Sequence, residues 1–356
     1  MSELTLMKGN EALAEAAIRA GCKCFFGYPI TPQTEVAAYL SKRMPKVGGV
    51  FLQAESEIAA INMIYGCAGS GVRCMTSSSS PGISLKTEGI SYIAGADLPC
   101  VIIDVQRGGP GLGGIQPSQA DYWQVTRALG HGDLRTIVFA PSSVQEMADT
   151  VTLAFDLADE YRMPAVILAD GLLGQMMEPV SFDENAKIKM SDASGKPWAA
   201  NGHGNKREHN IITSLELQAN KLENKIKERF LRYEEVKAKH TMAASDYTED
   251  AEIVVAAYGS TARLAKSAVD AARKKGIKAG VFRPITLWPY PEKELNEACK
   301  NAKKVLTVEM SMGQMVDDVK LALNCRLPVE FLGRTGGVIP SPAEILKKIE
   351  EMAGDK

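Results

Sequence analysis

Two carboxylates, a guanidinium and a run of hydroxyls have the types and spacing that could carry chemistry. Glu55 and Glu57 follow an apolar run, and Glu57 is itself followed by Ile58, Ala59, Ala60 and Ile61. Two positions apart on a helix, they point about 200° away from each other, so one can face solvent and the other the interior. An inward carboxylate is desolvated and suited to proton transfer. The alternative is an ordinary acidic first turn, favoured by the helix dipole. Arg107 opens the stretch RGGPGLGG, which reads as a mobile glycine loop carrying a guanidinium to an anionic substrate, because the guanidinium fork matches a carboxylate. A surface ion pair beside a flexible loop is the plainer reading. Gly109, Gly111 and Gly114 match G-x-G-x-x-G in form, but Ile115-Gln116-Pro117-Ser118 opposes a helix opening there. The next strand ends in Pro141 rather than in an acid for a ribose, so a dinucleotide site is not expected. After another apolar run the chain turns through Tyr28, Pro29, Ile30, Thr31 and Pro32. Thr31 suits a helix cap with Pro32 at the first helical position, or an anion seat beside free N–H groups. Serines 77–80, followed by Pro81-Gly82, form either a linker or a hydroxyl-lined loop facing a ligand. A nucleophilic serine is disfavoured, since no G-x-S-x-G elbow and no nearby His exist.

The scarce residues narrow the classes further. The 356 residues include 41 Lys and Arg against 43 Asp and Glu, a formal charge of −2. That balance opposes a nucleic-acid partner held by bulk charge. The four His lack zinc spacing, and the seven Cys form neither C-x-x-C nor a ferredoxin pattern. No metal site is expected on this chain. Scattered Cys in apolar segments read as reduced core thiols of a cytoplasmic protein. The first 21 residues carry a helical pattern without a signal-peptide core, and no apolar run reaches the ~20 residues that span a membrane.

The elements that must position these residues follow from short apolar runs alternating with helical patterns. Strands are expected at 24–27, 49–52, 73–76, 100–105, 137–140 and 165–168, with helices at 34–42, 57–68, 85–94 and 143–160. Such strands are buried on both faces, which predicts a parallel sheet covered by helices, with the binding edge at the strands' carboxyl ends. Residues 187–210 are polar, and 213–239 read as a long charged helix whose stripe runs through Leu215, Leu217, Leu222, Ile226, Phe230 and Leu231. From Ala251 a smaller α/β unit begins, with strands after residue 252 and at 278–282, 303–309 and 328–332. Its helices are expected at 261–275 and 342–352, and Arg334 in GRTGG is a further candidate anion contact.

In this order and spacing, YPITP, ESEIAAINMIYGCAGSG, MTSSSSPGISL and DVQRGGPG resemble the alpha subunit of 2-oxoacid:ferredoxin oxidoreductases. The segments AYGSTAR, FRPITLWPYP, VEMSMGQM and GRTGG extend the resemblance over nearly the whole chain. It implies a thiamine diphosphate pyrimidine-binding α/β domain at 1–185, a polar excursion and connecting helix at 186–249, and a transketolase C-terminal-like α/β domain at 250–356. By resemblance, Glu57 is the catalytic glutamate that hydrogen-bonds the cofactor's pyrimidine ring and stabilises its imino tautomer. Thr31 and Arg107 would hold the substrate carboxylate, and Tyr28, Pro29, Ile30, Ser79 and Ser80 would help bind the cofactor. The GDG…N motif for diphosphate and Mg²⁺ is not found here, and neither are cluster-binding cysteines. The resemblance therefore implies thiamine diphosphate shared with a beta subunit that brings Mg²⁺, with [4Fe-4S] clusters on partners. A gamma subunit, a ferredoxin-like subunit, ferredoxin, coenzyme A and a 2-oxoacid complete the implied set. The loop GGPGLGGIQPSQADYWQ departs from the GGPSTG type and looks more like members acting on 3-methyl-2-oxobutanoate. A second substrate carboxylate would want another basic partner, for which Arg127 or Arg135 are candidates. A 2-oxoglutarate or pyruvate enzyme is the alternative within the family, and a non-catalytic assembly subunit the alternative outside catalysis.

Overall fold

A computed structural model describes residues 4–183 and 187–354. The expected boundary at 185/186 and the first three residues of the expected N-terminal helix lie outside them. The chain begins with strand β1 (Leu4–Lys8) rather than a helix, and α1 (Gly9–Arg19) follows. The Glu11 carboxylate accepts the Lys8 N–H at 3.4 Å at the start of α1, about two turns later than the pattern over the first 21 residues suggested.

The main sheet is built from β2 (Cys24–Gly27), β3 (Val50–Gln53), β4 (Cys74–Ser78), β5 (Cys100–Gln106), β6 (Ile137–Phe139) and β7 (Pro164–Asp170). Between them run α2 (Thr34–Arg43), α3 (Glu57–Gly69), α4 (Pro81–Gly95), the short α5 (Tyr122–Thr126) and α6 (Val144–Tyr161). The six strands pair in parallel in the order β6-β7-β5-β4-β2-β3. Every residue of β4, β5, β6 and β7 is buried, as expected for strands covered on both faces. Helices α1, α2 and α6 pack together, whereas α3 packs on α4. The turn α7 (Gly171–Gln175) leads to β8 (Met177–Ser181), which pairs antiparallel with β1.

After the polar excursion comes α8 (Ala219–Lys239), which starts later than the expected 213. Its contact face also differs from the expected stripe. Arg229, Tyr233 and Val236 are buried, while Leu222 and Leu231 on the helix, and Leu215 and Leu217 before it, stay exposed. Only the last turns dock, and there Arg229 pairs with Asp97 at 2.9 Å.

A second sheet contains β9 (Ala243–Asp246), β10 (Ile253–Ala256), β11 (Ala279–Pro284), β13 (Lys304–Glu309) and β14 (Val329–Gly333), in the order β14-β13-β10-β11-β9. Strand β12 (Thr286–Trp288) leaves this unit and adds antiparallel to β6, so the main sheet has seven strands. Around the second sheet lie α9 (Gly259–Lys274), α10 (Glu292–Ala298), α11 (Met315–Ala322) and α12 (Pro342–Gly354). A distinct apolar core joins α9 and α12 to it, through Ala265, Val269, Ile345 and Ile349.

Gln119 ties the two units together. Its N–H donates to Met310 O at 2.8 Å and its side-chain amide to Tyr258 O at 2.8 Å. Its Oε1 accepts the Met310 N–H and the Thr261 hydroxyl at 3.0 and 3.1 Å. The residue is wholly buried with these polar atoms satisfied, so it clasps the second unit to the segment after Arg107.

Candidate active site

Four neighbouring parallel strands, β3, β2, β4 and β5, end at one edge of the main sheet. The loops after them carry Glu57, Thr31, Ser79 with Ser80, and Arg107, so the topology alone gathers these residues. From β2 the chain adds β3 on one side and β4 on the other, which opens a crevice at the carboxyl ends. Gln33 ties the β2 and β4 loops together. The Ser77 hydroxyl donates to its Oε1 at 2.6 Å, and its amide donates to Tyr28 O at 3.3 Å.

Ser56 caps α3 by accepting the Ala59 N–H at 3.1 Å. That start turns Glu57 inward, to 6% exposure, while Glu55 is exposed. The carboxylate lies against Gly82 in the first turn of α4. A Cβ there would meet Glu57 Oε1 at 2.7 Å and Ser78 Oγ at 2.1 Å. The glycine thus makes a notch for the acid. Ser78 and Ser79 are buried beside it, and their hydroxyls have no hydrogen-bond partner among the described residues.

Lys86, one turn further along α4, is completely buried. Its ammonium donates to Thr76 Oγ1 at 2.7 Å and to Ser77 O at 3.0 Å. Burial pushes its pKa down to about 7, against the pull of the Glu57 and Asp104 charges. It holds a removable positive charge beside Glu57 and Asp104.

Arg107 is 7% exposed and sits immediately after β5. Its guanidinium donates to Thr31 O at 2.8 Å and to Leu112 O at 3.2 Å, while Nε has no partner among the described residues. The structure therefore brings Thr31 and Arg107 together. It corrects two local expectations. Gln33, not Thr31, precedes α2, because Asn10 and Gln175 bind Pro32 O at 2.8 and 3.2 Å and draw it away from the helix. The glycine loop is also closed rather than mobile at its base. Gly108 N–H donates to Gln116 O and Gly114 N–H to Gly108 O, each at 2.9 Å, and Arg107 bridges Pro117. Gly113 has φ +58, and a Cβ there would lie 1.9 Å from Gly108 O, so only glycine fits.

Behind Arg107 lies a buried acidic pair. The Ser80 hydroxyl donates to Asp121 at 2.5 Å and accepts the Arg107 N–H at 3.0 Å, and the Ser80 N–H donates to Asp104 at 3.3 Å. These bonds hold Ser80 at φ +26, a strained value for a residue with a side chain. Burial, then the neighbouring Asp121, raises the Asp104 pKa well above the usual range. Burial likewise pushes Asp121 up to about 6, against hydrogen bonds from Ser80 and Asp104 and the charge of Arg107. Burial and mutual proximity thus disfavour carrying both negative charges at once.

The other expected residues sit at varied distances from this centre. Tyr28 and Pro29 are exposed and Ile30 is half-buried at the rim. Ser80 is nearby, but its hydroxyl is engaged by Asp121 and Arg107. Arg127 pairs with Asp318 at 2.6 Å and lines, with Arg135, a separate cleft beneath α8 and α10. Arg334 pairs with Glu344 at 3.5 Å. Lys86, Asp104 and Asp121 carried no expected role. Lone charges in the apolar strand CVIIDVQ and in the helix PGISLKTEGISYIAG were the available signals. Among the described residues, no three His, Cys, Asp or Glu side chains are arranged to hold a metal ion. No helix among them is long and apolar enough to cross a membrane.

Comparisons with known proteins agree with this architecture. Residues 15–259 match the family described as pyruvate flavodoxin/ferredoxin oxidoreductase, thiamine diP-bdg, and residues 251–345 match pyruvate:ferredoxin oxidoreductase core domain II. The ketoisovalerate oxidoreductase subunit VorB of Methanothermobacter marburgensis is 50% identical, covering 98% of both chains. The 2-oxoglutarate synthase subunit KorA of the same organism is 37% identical over 99% of this chain and 100% of its own. A solved 2-oxoglutarate:ferredoxin oxidoreductase from Magnetococcus marinus, with 2-oxoglutarate, coenzyme A and succinyl-CoA bound, superposes with TM-score 0.85 at 26% identity. That match covers 98% of this chain and 65% of the solved one. A split-gene transketolase, at 15% identity and TM-score 0.61 over 97% of both chains, shares the fold. The curated relatives are named as subunits of larger enzymes, and so this α/β chain, with its parallel sheets and its carboxylate and guanidinium at one edge, belongs to the 2-oxoacid:ferredoxin oxidoreductase family as an alpha-type subunit.

Proposed function

We propose that this chain forms the pyrimidine-side half of a thiamine diphosphate site that oxidatively decarboxylates 3-methyl-2-oxobutanoate. Decarboxylation would release CO₂, electrons would pass to ferredoxin, and acyl transfer to coenzyme A would give the acyl-CoA. The observation carrying this reading is Glu57, a buried carboxylate in a notch kept open by Gly82, at the sheet edge that also bears Arg107. The 50% identity to a ketoisovalerate oxidoreductase subunit supports the choice of substrate.

The residues present fit the cofactor. The unpartnered hydroxyls of Ser78 and Ser79 and the open notch at Gly82 provide polar and steric room beside the acid. When bound, thiamine diphosphate supplies the electron sink for the carbanion that decarboxylation generates. Glu57 would hold a proton at the pyrimidine ring, with Ser79 and the Tyr28-Pro29-Ile30 turn around it. Arg107 and Thr31 would orient the 2-oxoacid carboxylate, for which the guanidinium supplies charge-assisted donors. The Ser80 bonds to Arg107 N and Asp121 would keep the start of that loop fixed.

In this reading a beta subunit contributes the diphosphate and Mg²⁺ half, and a gamma and a ferredoxin-like subunit complete electron transfer through [4Fe-4S] clusters. The chain divides at 1–185, 186–249 and 250–356, with β12 reaching back into the first sheet. The free state of all seven cysteines supports a reducing, cytoplasmic setting. The test is Glu57→Gln in the reconstituted complex, which should lower 2-oxoacid-dependent viologen reduction by at least 100-fold. Wild-type turnover by that variant would remove the catalytic assignment.

A further inference from the structure

The loop after Arg107 displays a feature that a carboxylate clamp does not require. Between Gly108 and Gly114 it is glycine except for Pro110 and Leu112, and Ile115 follows. Leu112 is 86% and Ile115 59% exposed. Isolated apolar side chains at a surface are ordinary. These two differ because the clamp itself holds the loop that bears them. The Arg107 guanidinium donates to Leu112 O at 3.2 Å, so the Leu112 side chain projects from the same residue whose carbonyl contacts the anion-binding group. The Gly108–Gln116 and Gly114–Gly108 bonds, with the Arg107–Pro117 bridge, prevent the tip from moving away from the guanidinium.

The second unit supports the loop from the other side. Gly337 approaches so closely that a Cβ on it would lie 2.3 Å from Gln116 Cβ, and a Cβ on Gly108 would lie 3.7 Å from the backbone of Gly336 and Gly337. Val338, the next residue, is 47% exposed. Three apolar side chains are thus carried on two touching loops beside a guanidinium. The other candidate cations are placed elsewhere, Arg127 paired with Asp318 in a separate cleft that Arg135 also lines, and Arg334 paired with Glu344. Among these contacts, no free cation stands ready to receive a second substrate carboxylate.

We infer that Leu112 and Ile115 form the apolar wall that receives the substrate's side chain, selecting 2-oxoacids with a branched aliphatic chain against those with a distal carboxylate. This rests on the reading of Arg107 as the carboxylate clamp, and it names the specificity-determining residues of that site. A 2-oxoacid gripped by its carboxylate at Arg107 extends its far carbons toward the loop tip. An isopropyl group gains contact there, whereas a distal carboxylate would lose water without gaining a partner.

The test uses the complete complex, assembled with its partner subunits, carrying Leu112→Ala, Ile115→Ala or Leu112→Lys. kcat/KM is measured for 3-methyl-2-oxobutanoate, pyruvate and 2-oxoglutarate on each preparation. Ratios between substrates are compared, so differences in assembly yield cancel. Each alanine variant should lower the ratio of 3-methyl-2-oxobutanoate to pyruvate about tenfold, the range expected for one or two methyl contacts. Leu112→Lys should raise the ratio of 2-oxoglutarate to 3-methyl-2-oxobutanoate at least tenfold. Equal losses for all three substrates, or unchanged ratios, would overturn the inference and assign the loop to support of the clamp or to a subunit contact. Either result would leave the proposed reaction standing. A wild-type complex that turns over none of the three acids would instead refute the proposed function and this inference with it.

Discussion

The notch at Gly82 permits a test that separates damage to Glu57 from damage to the fold. Gly82 and Gly89 both lie on α4 where it abuts α3, and neither has a positive φ, so alanine suits the backbone at each. A Cβ on Gly82 would meet Ser78 Oγ at 2.1 Å, Glu57 Oε1 at 2.7 Å and Glu57 Cγ at 3.2 Å. A Cβ on Gly89 would meet only Ile61 side-chain atoms as its nearest neighbours, at 2.5, 2.8 and 3.2 Å. Overpacking of this kind costs about 1–3 kcal/mol, offset by up to about 1 kcal/mol of helix propensity. The two variants should therefore lose similar stability, on the order of 0–2 kcal/mol. Their activities should diverge, because only Gly82→Ala pushes the acid from its position. A displacement of about 1 Å at a reacting group costs on the order of 100-fold in rate. Viologen reduction at saturating 3-methyl-2-oxobutanoate and coenzyme A should fall about that much in Gly82→Ala and only a few-fold in Gly89→Ala. Thermal unfolding of both complexes supplies the stability control. Wild-type kcat in Gly82→Ala, or equal loss in both variants, would refute the placement of Glu57 at the reacting centre.

Two further outcomes follow from the buried polar groups. Lys86 has a folded pKa lowered to about 7 by burial, so between pH 7 and about 10.5 the unfolded chain holds a proton that the folded one has released. Stability from this group must rise with pH through that window, by at most about 1.4 kcal/mol per pH unit. Unfolding midpoints of wild type should accordingly gain on those of Lys86→Met between pH 7 and 9, and a constant gap would mean that the buried amine stays charged. Gln119→Leu should destabilise the chain by about 1–3 kcal/mol in denaturant unfolding, since it strands the buried Met310 N–H and leaves the Tyr258 carbonyl only its bond from Thr261, and a loss under about 0.5 kcal/mol would deny the clasp.

Most of the main sheet was legible because its inner strands break no local rule, whereas the edge strand β3 departs from the expected burial, with Val50, Leu52 and Gln53 exposed. Runs such as CFFG and PAVILAD are short, apolar and followed by turn residues, and burial on both faces leaves no other reading. The carboxyl-end placement of Glu57, Thr31 and Arg107 then followed from strand order. What escaped was set by contacts between distant segments. Serines 77 and 78 belong to β4 or its end, and α4 starts at Pro81, four residues before the expected helix, because Ser80 is held by Asp104 and Asp121 from two other segments. Thr31 lost its capping place to tertiary bonds on Pro32 O from Asn10 and Gln175. The exposed leucines of α8 misled periodicity, which reports an amphipathic face but not how much of it docks.

The buried charges beneath the sheet edge show why these particular irregularities occur together. Lys86, Asp104, Asp121, Glu57 and Arg107 are all at most 9% exposed, in a region where an unpaired charge costs several kcal/mol. A fold selected for stability alone would fill such positions with apolar side chains. Here the costs are moderated rather than removed. Lys86 sheds its proton readily, burial favours the uncharged form of Asp104, and the backbone of Ser80 accepts strain to bond one oxygen of each acid. The same arrangement leaves Ser78, Ser79, Asp104 Oδ2 and Arg107 Nε without partners among the described residues. Groups that are both buried and unsatisfied destabilise a chain unless something else completes them. These four lie at the edge between Glu57 and Arg107, while Asn10 Oδ1, Tyr290 OH, Glu294 Oε2 and Thr307 Oγ1 are further unpartnered atoms elsewhere and the polar centre at Gln119 is fully bonded. At the proposed reaction site the unpartnered atoms include the Ser78 and Ser79 hydroxyls and a guanidinium N–H, and the bonds missing there are those that an anionic substrate and a polar cofactor would supply.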